Sequence, residues 1–593
     1  MICEQPPRTQ TPGPPRDGRS AAEEHRRSRG PRLRRRSVLA GAGVGAAALA
    51  LAACRDGEES RTAAAPTVTV SEFPDARGDW TVWSIDYELG ADEEAPELYR
   101  AATQQARHDA LRAKRSERAW SASEPLLVLD PYGTTRTGLY VHFGARTGGK
   151  LTFTVSAPST ADFTRTAANH AETTGFEGLV VGLVPGAHNT LTLTWTPDEG
   201  ESISGEIRLT APSPASQYAT ALAADIVDPG ALTPGLFAMS GVTSLSNNTY
   251  LIDNAGTMRA EVAGTDVEEH HFVVEGDRIV TTTGSTQVSV LDALGHAGTI
   301  IDLGDQIAHH DLWVVDDVAY VLTSQKGSNR SEDRVTRVDL SSGEAEEILD
   351  LRDVFPEYEK LAHARSDGGL GDPAATGKDW IHLNTIQVLD GVMYLSSRET
   401  STVIALDGAL DGDARPTVRW MLGAEALWKG SGYDGHFLRA EGTPVGIAGQ
   451  HSVHRIDDPS LPDGQFYLEM FNNNYWYLGT RIAKDWEEAG PANASTDEME
   501  GTSHLLRYLV DESAGTYRED LVVDVPYSSV VSNVFRLGTG RIDQNAVVNS
   551  GKAKEFSERA ADGRILASFR YDASNLGYRV YKDTFEGFWF AGA

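Results

Sequence analysis

HDLWVVDD from His310, NTIQVLDG from Asn384, HSVHRIDD from His451 and SNVFRLGT from Ser532 align as four copies of one pattern. Each opens on a polar residue, passes through apolar positions and ends in a turn. In three of them a strand-like run follows the turn: VAYVLTS, VMYLSS and, after a longer loop, QFYLEMF. SGVTSLSN from Ser240, followed by TYLID, is a weaker fifth copy, and the stretch 271–300, beginning HFVVEGDRIVTTT, supplies a sixth unit. The five aligned copies are spaced 70, 74, 67 and 81 residues apart, as suits units with long inserted loops. β-units repeated at this scale with Gly and Asp turns predict an all-β fold, a six-bladed β-propeller over 236–593.

Along a strand, side chains alternate with period two. The opening polar residue of each copy should therefore face one central funnel, which brings His310, Asn384, His451 and Ser532 together. His382, two residues before Asn384, shares its face. His309 is out of phase with His310 and should point elsewhere. Arg398, in YLSSRET, lies on the second strand of the unit that carries His382 and Asn384. Imidazoles and a guanidinium around a small opening suit a tetrahedral oxyanion such as sulfate or phosphate. Arg offers a fixed fork of donors, and imidazole can donate, exchange a proton or attack. A single His in a strand is ordinarily structural, but three at matching positions are harder to assign so. Three imidazoles can also hold zinc or copper, a reading that Arg398 opposes. No Ser-His-Asp arrangement, phosphate loop or Cys/His zinc spacing stands out.

The 593 residues exceed one average domain, and 40% hydrophobic with 23% charged residues excludes a wholly disordered chain. The net charge of −32 argues against a nucleic-acid partner. The Asp/Glu-rich loops read as solvated surface. Within 71–215, LLVLD, GLYVHF, KLTFTV, LVVGLV, LTLTWT and GEIRLT alternate between Gly, Pro, Asp and Thr clusters, which predicts an antiparallel β-sandwich ahead of the propeller. One interruption, ELYRAATQQARHDALRAKRSERAW, has helical spacing. The sequence leaves open whether the sandwich packs on the propeller, covers the funnel or mediates self-association, and it leaves the oligomeric state open.

Residues 1–53 hold ten Arg and four acids, a net of +6. Arg34-Arg35-Arg36-Ser37 precedes an apolar run from Val38 to Ala53, too short for a good membrane span and similar to a twin-arginine export signal. Leu51-Ala52-Ala53-Cys54 resembles a bacterial lipobox, so Cys54 is the expected lipidated first residue of an exported protein anchored on the outer face of the cell membrane. The rival is an ordinary cleaved signal with an incidental Cys54. Residues 54–70 read as a tether. Cys3 and Cys54 are the only cysteines, so no disulfide framework survives removal of the leader.

These segments together resemble the bacterial arylsulfate sulfotransferases that do not use the nucleotide sulfate donor. DPYGTT at 130–135 and GLVPGAHNTLTL at 182–193 resemble the family's N-terminal sandwich. HHDLWVVDD at 309–317, DWIHLNTIQV at 379–388, YLSSRETSTVIAL at 394–406, VRWMLG at 418–423, GQHSVHRIDDPSLPDG at 449–464, SHLLRYLVD at 503–511 and YSSVVSNV at 527–534 follow in family order. The resemblance implies ping-pong transfer of a sulfuryl group from a phenolic sulfate ester to a phenol, without cofactor or metal. It implies His451 as nucleophile and His382 and Arg398 as holders of the sulfuryl oxygens. It also implies Asn384, Thr385 and His309 as substrate-binding positions, and His310 as stabiliser of the transferring group or proton donor to the leaving phenolate. Two positions depart from the family: Phe471-Asn472-Asn473-Asn474 stands for Phe-Asp-Asn-Gly, and Thr385 for Ser. A hydrolase on the same site, a non-catalytic propeller lipoprotein that binds ligand, and a metalloenzyme are the competing readings.

Overall fold

Alternation builds the first sheets. In Gly149–Ser156 and His188–Pro197 every second side chain is buried. The computed structural model describes residues 66–592, apart from 89–96, 215–221, 241–247, 265–271, 364–377, 411, 413–414, 477–479, 481–489 and 574–575. The export signal, Cys54 and most of the tether lie outside the described residues.

Two five-stranded sheets form the N-terminal part. One runs Thr67–Glu72, Val82–Glu88, Leu126–Leu129, Leu139–Gly144, Gly175–Val180; the other runs Ala76–Gly78, Ile203–Thr210, His188–Pro197, Gly149–Ser156, Phe163–Thr166. They share one core, with Phe143 of the first edge-on to Trp195 of the second at 5.1 Å. Pairing is antiparallel except between Val82–Glu88 and Leu126–Leu129. A parallel pair needs a crossover, and the helix Ala101–Ser116 lies in it. The helix buries Thr103, Gln104, Arg107, Leu111 and Lys114, spaced for a single face.

Six more sheets follow. In chain order their first strands are Leu236–Ser240, Phe272–Glu275, Gln306–Val315, Leu383–Leu389, His451–Ile456 and Asn533–Arg536. From the strand just named, the second to sixth each run as a four-stranded antiparallel meander, and the fifth carries one more short strand, Arg439–Ala440, parallel to Thr516–Val525. The first is completed by the last strand of the chain, Arg579–Asp583, which pairs with Leu236–Ser240. The sixth is extended by an early strand, Ala223–Ile226, which pairs with Ile565–Arg570. The sheets are thus tied from both ends of the segment.

All four strong sequence copies fall on the first strands of the third to sixth sheets, and the 271–300 unit falls on the second. Of the copy at Ser240 only its first residue is described; 241–247 lie outside the described residues. Ser240 ends the strand Leu236–Ser240, and the strand that occupies the corresponding edge of the first sheet is Arg579–Asp583. The repeat is permuted there, because the chain's end closes its own first sheet, and a search for copies in sequence order passes over it.

The N-terminal sheets pack on the others. Phe585, Phe588 and Trp589 share their core. Ala297 N–H donates to Gln104 Oε1 at 3.1 Å, Ala168 N–H to the Trp589 carbonyl at 2.9 Å, and Ala591 N–H to the Thr166 carbonyl at 2.9 Å.

One buried charge joins three sheets. Arg579, fully buried, donates to Asp311 Oδ1 on the third sheet at 3.1 Å, to the Asn384 carbonyl on the fourth at 2.7 Å and to Tyr581 Oη at 3.0 Å. Asp311 Oδ2 accepts in turn from Ile386 N–H at 3.1 Å. Removing one partner of a buried ion pair strands the other in a medium that cannot solvate it. Arg579→Met should therefore lower the unfolding free energy by about 3–5 kcal/mol, and adding Asp311→Asn should recover part of the loss. Urea unfolding reads both; an unchanged midpoint in Arg579→Met would show that the pair does not hold the sheets.

Candidate active site

The strands Gln306–Val315, Leu383–Leu389 and His451–Ile456 of the third, fourth and fifth sheets do not alternate cleanly where the sequence motifs lie. Pairing registers shift between Ala308 and Leu312, between Leu383 and Thr385, and between His451 and His454. Left-handed residues accompany the shifts: His310 (φ 51°), His382 (φ 50°) and Ser452 (φ 54°), with Val531 (φ 54°) and Ser532 (φ 87°) before the sixth sheet's first strand. Such conformations are unfavourable for side chains larger than Gly and persist where surroundings over-determine them. A bulge also re-aims side chains.

The re-aiming gathers the imidazoles. His310 and His382 meet edge-to-face at 4.8 Å between ring centroids, and His310 lies 5.8 Å from the Tyr578 ring. His309 joins them despite its phase, its Nδ1 3.0 Å from Nδ1 of His310. His451 is close enough for Arg398 and His382 to act on it electrostatically. Asn384 and Ser532 do not aim into this cluster. Asn384 Nδ2 donates to the Gln450 carbonyl at 2.8 Å, and Thr385 Oγ1 accepts from Ser452 N–H at 2.8 Å, so both hold the residues that flank His451. Ser532 Oγ bonds Ser528 Oγ at 2.9 Å and accepts from Gly551 N–H at 2.9 Å.

The buried imidazoles differ in charge. His451 Nδ1 contacts two acceptors, Asn473 Oδ1 at 2.7 Å and the Gly449 carbonyl at 3.0 Å. Asn473 Nδ2 donates to the carbonyls of Ser528 (2.8 Å) and Val531 (3.0 Å), which fixes its amide so that Oδ1 faces His451. The proton of His451 is therefore on Nδ1 and the lone pair on Nε2. Burial holds its pKa down to about 3, against the Asn473 hydrogen bond, with Arg398 and His382 adding to the depression. His309 is held at about 3 by burial and His382, and His310 well below its ordinary value by burial, His382, His309 and His451.

His382 goes the other way. Its Nδ1 donates to Asp379 Oδ2 at 2.7 Å and abuts Glu332. Burial and Arg398 push the ring down, but the two carboxyls outweigh them and hold it at about 9. Its Nε2 is buried without a hydrogen-bond partner. Burial raises the Glu332 carboxyl to about 8, against the pull of His382. Arg398 lies with Nη2 3.5 Å from Asp379 Oδ2, its backbone N–H donating to the His382 carbonyl at 3.0 Å. His310, Glu332 and His382 each bring one ligand atom within 4.8 Å of the others. The charged His382 ring and the nearby guanidinium oppose a cation there and favour an anion.

Glu332, Asn473 and Arg579 were not marked by sequence reasoning. Glu332 lies in SNRSEDR, a loop that reads as solvated surface but is buried as a network: Arg330 bonds Asp333 and Asp350, and Trp380 Nε1 donates to Asp333 Oδ2 at 2.8 Å. The balance of Arg and Asp within that loop was the available signal. Asn473 sits in the Phe-Asn-Asn-Asn segment already singled out.

Residues 226–580 match the family model described as arylsulfotransferase (ASST), and residues 126–212 match that of the arylsulfotransferase Ig-like domain. No curated protein matches the chain in sequence. Among solved structures, one described as a 6-phosphogluconolactonase of Bacteroides fragilis shares 13% identity over 74% of this chain and 99% of its own, with a TM-score of 0.31. Citrobacter koseri AztD shares 11% over 73% and 98%, with a TM-score of 0.25. These likenesses are too slight to bear on function. The first family model spans more than half of the chain, which therefore belongs to the arylsulfotransferase family and is a sulfotransferase.

Proposed function

We propose that this sulfotransferase works by ping-pong transfer through a sulfohistidine on His451, with a phenolic sulfate ester as donor and a phenol as acceptor. The observation that carries the reading is the hydrogen bonding of His451, which commits Nδ1 to Asn473 and Gly449 and leaves Nε2 as the lone pair. The charged groups Arg398 and His382 bind the sulfuryl oxygens, His382 through Nε2–H. Nε2 of His451 attacks sulfur, the N–S bond forms as the aryl O–S bond breaks, and the electron pair leaves on the phenolate. Donors fixed before reaction stabilise that charge without reorganisation. Neutral His310 donates a hydrogen bond at the departing oxygen. Attack by a phenol then breaks the N–S bond, a new ester leaves, and the phenolic proton is lost, restoring neutral His451. Asn384, Thr385 and His309 act behind this first contact: Asn384 and Thr385 fix the backbone around His451, and His309 orients His310.

We also infer a six-bladed propeller for the six sheets, supported by the C-terminal strand in the first sheet and the early strand in the sixth. Export and lipidation at Cys54 complete the proposal, on the strength of the leader sequence. Cys54→Ser should move the protein from the membrane to the soluble fraction; an unchanged distribution would remove the anchor.

His451→Ala should lower transfer from 4-nitrophenyl sulfate on the order of 10⁴-fold while leaving thermal unfolding intact, and the native protein without acceptor should retain one sulfuryl group on a His451 peptide by mass. Full activity in His451→Ala excludes the nucleophile, release without acceptor dependence indicates hydrolysis, and no turnover with any ester indicates a binding protein. The pH profile tests His382. Its charge is lost as pH rises through about 9, so kcat/KM for the donor should fall there. Asp379→Asn and Glu332→Gln each remove a carboxyl that raises the ring, so the alkaline limb should move down by about 1–3 pH units. An unmoved limb would show that the charge on His382 is not used.

A further inference from the structure

A second chamber lies further along the same first strands. Two adjoining cavities of about 350 and 170 Å³ share Trp313, His454 and Phe535 in their walls. Each of the six sheets contributes: Phe272, Trp313, Leu389, His454, Phe535 and Tyr581 come one from each. None of the lining residues belongs to the imidazole cluster. His454 stands three positions beyond His451, about 10 Å along an extended strand, and Trp313 stands three beyond His310. Between the two regions lies the bridge from Arg579 to Asp311 and the Asn384 carbonyl.

The walls that the two cavities share are aromatic, and the cations in the lining are paired with carboxylates. Trp313 and His454 face each other at 5.8 Å between centroids, and Phe535 meets Tyr581 edge-to-face at 5.0 Å. Arg455 is bonded to Asp457 at 2.8 Å, Arg536 forks onto Glu469 at 2.8 and 2.5 Å, Lys582 bonds Glu558 at 2.6 Å, and Arg541 pairs with Asp543 at 3.2 Å. No cation in this set is left over for an anion. In the imidazole cluster, by contrast, His382 and Arg398 converge on a single carboxylate oxygen, Asp379 Oδ2. An apolar cavity of about 150 Å³ accepts benzene, and ligand sites of small molecules run from about 300 Å³ upward. The volume, the tilted and edge-on rings and the pairing of the cations select a neutral planar aryl compound over a sulfate ester.

We propose that this chamber is a second, non-catalytic binding site for a neutral aryl compound of the phenol class, separate from the transfer site. The choice of phenol rests on the proposed transfer reaction; the site rests on the cavity alone. Its occupancy would hold the unsulfated partner near an active site whose own charges favour the ester.

Soaking crystals of the native chain with 4-bromophenol tests the site without any variant. A bromine anomalous peak among Trp313, His454 and Phe535 is expected. Bromine only beside His451, or nowhere, overturns the proposal, and neither result depends on whether sulfuryl transfer occurs. In solution, 2-naphthol titrated into the protein should bind at least about tenfold more weakly to Trp313→Ala and to Val274→Trp, which fills the chamber. Both variants should keep kcat/KM for 4-nitrophenyl sulfate within about twofold. Binding that survives both and is lost in Arg398→Ala would place the aryl compound in the transfer site alone.

Discussion

The guanidinium of Arg579 is the constraint on which the geometry of the site depends. It is contributed by the last strand, fully buried, and divided between a carboxylate of the third sheet and a carbonyl of the fourth. That carbonyl belongs to Asn384, whose amide holds the carbonyl of Gln450, while the next residue, Thr385, holds the N–H of Ser452. His451 lies between those two anchored residues. Three links therefore run from the charge of Arg579 to the imidazole of His451. A buried ion pair is weak evidence of net stability. Its worth here is positional, because each partner is on a different sheet and no rearrangement within one sheet can satisfy it.

The strand repeats were legible because they obey period two over most of their length. Four copies fall on edge strands of four successive sheets, and the N-terminal alternation yields two sheets packed through a common core. Legibility failed where the backbone departs from an extended strand. His309 was expected on the opposite face and instead touches His310, because the register shifts between Ala308 and Leu312 and His310 is left-handed. Asn384 and Ser532 sit at matching positions in sequence but spend their side chains on backbone and neighbouring polar groups. A bulge has no signature in an apolar-polar pattern, so the residues that are chemically most informative were the hardest to orient.

Two further parts were hidden for other reasons. One edge strand of the first sheet comes from residues 579–583, so a repeat search in sequence order could not pair it with its neighbours. Glu332 sits in a loop dense with charge, which by composition alone belongs in water; its burial follows only from the reciprocal pairing of Arg330 with Asp333 and Asp350. The departures from the family's turn, by contrast, can be explained locally. Asn472 Oδ1 accepts from Ala448 and Asn474 N–H, as a carboxylate could, and its Nδ2 adds a bond to the Gly446 carbonyl. Asn474 occupies the left-handed region at φ 57°, which Asn tolerates better than most side chains, and its amide bonds the carbonyls of Asn493 and Thr502.

The contrast between Asn473 and Asp379 shows how one residue type is divided into two roles. Both side chains accept from the Nδ1 of a buried imidazole at 2.7 Å. Asp379 supplies negative charge, joined by Glu332 above about pH 8, and His382 stays protonated up to about pH 9. Asn473 supplies an acceptor without charge, so burial prevails and His451 stays neutral down to about pH 3. Between those limits one ring is a cation and the other carries a lone pair. Exchanging the two partners would protonate His451 and discharge His382, leaving the contacts in place and the roles proposed for the two rings undone. The amide at 473 is kept in its orientation by the carbonyls of Ser528 and Val531, and Val531 is itself left-handed, an unfavourable conformation for a β-branched residue. The strain at Val531 thus has a use: it turns a carbonyl toward Asn473, which turns an oxygen toward His451 Nδ1, which leaves the lone pair on Nε2.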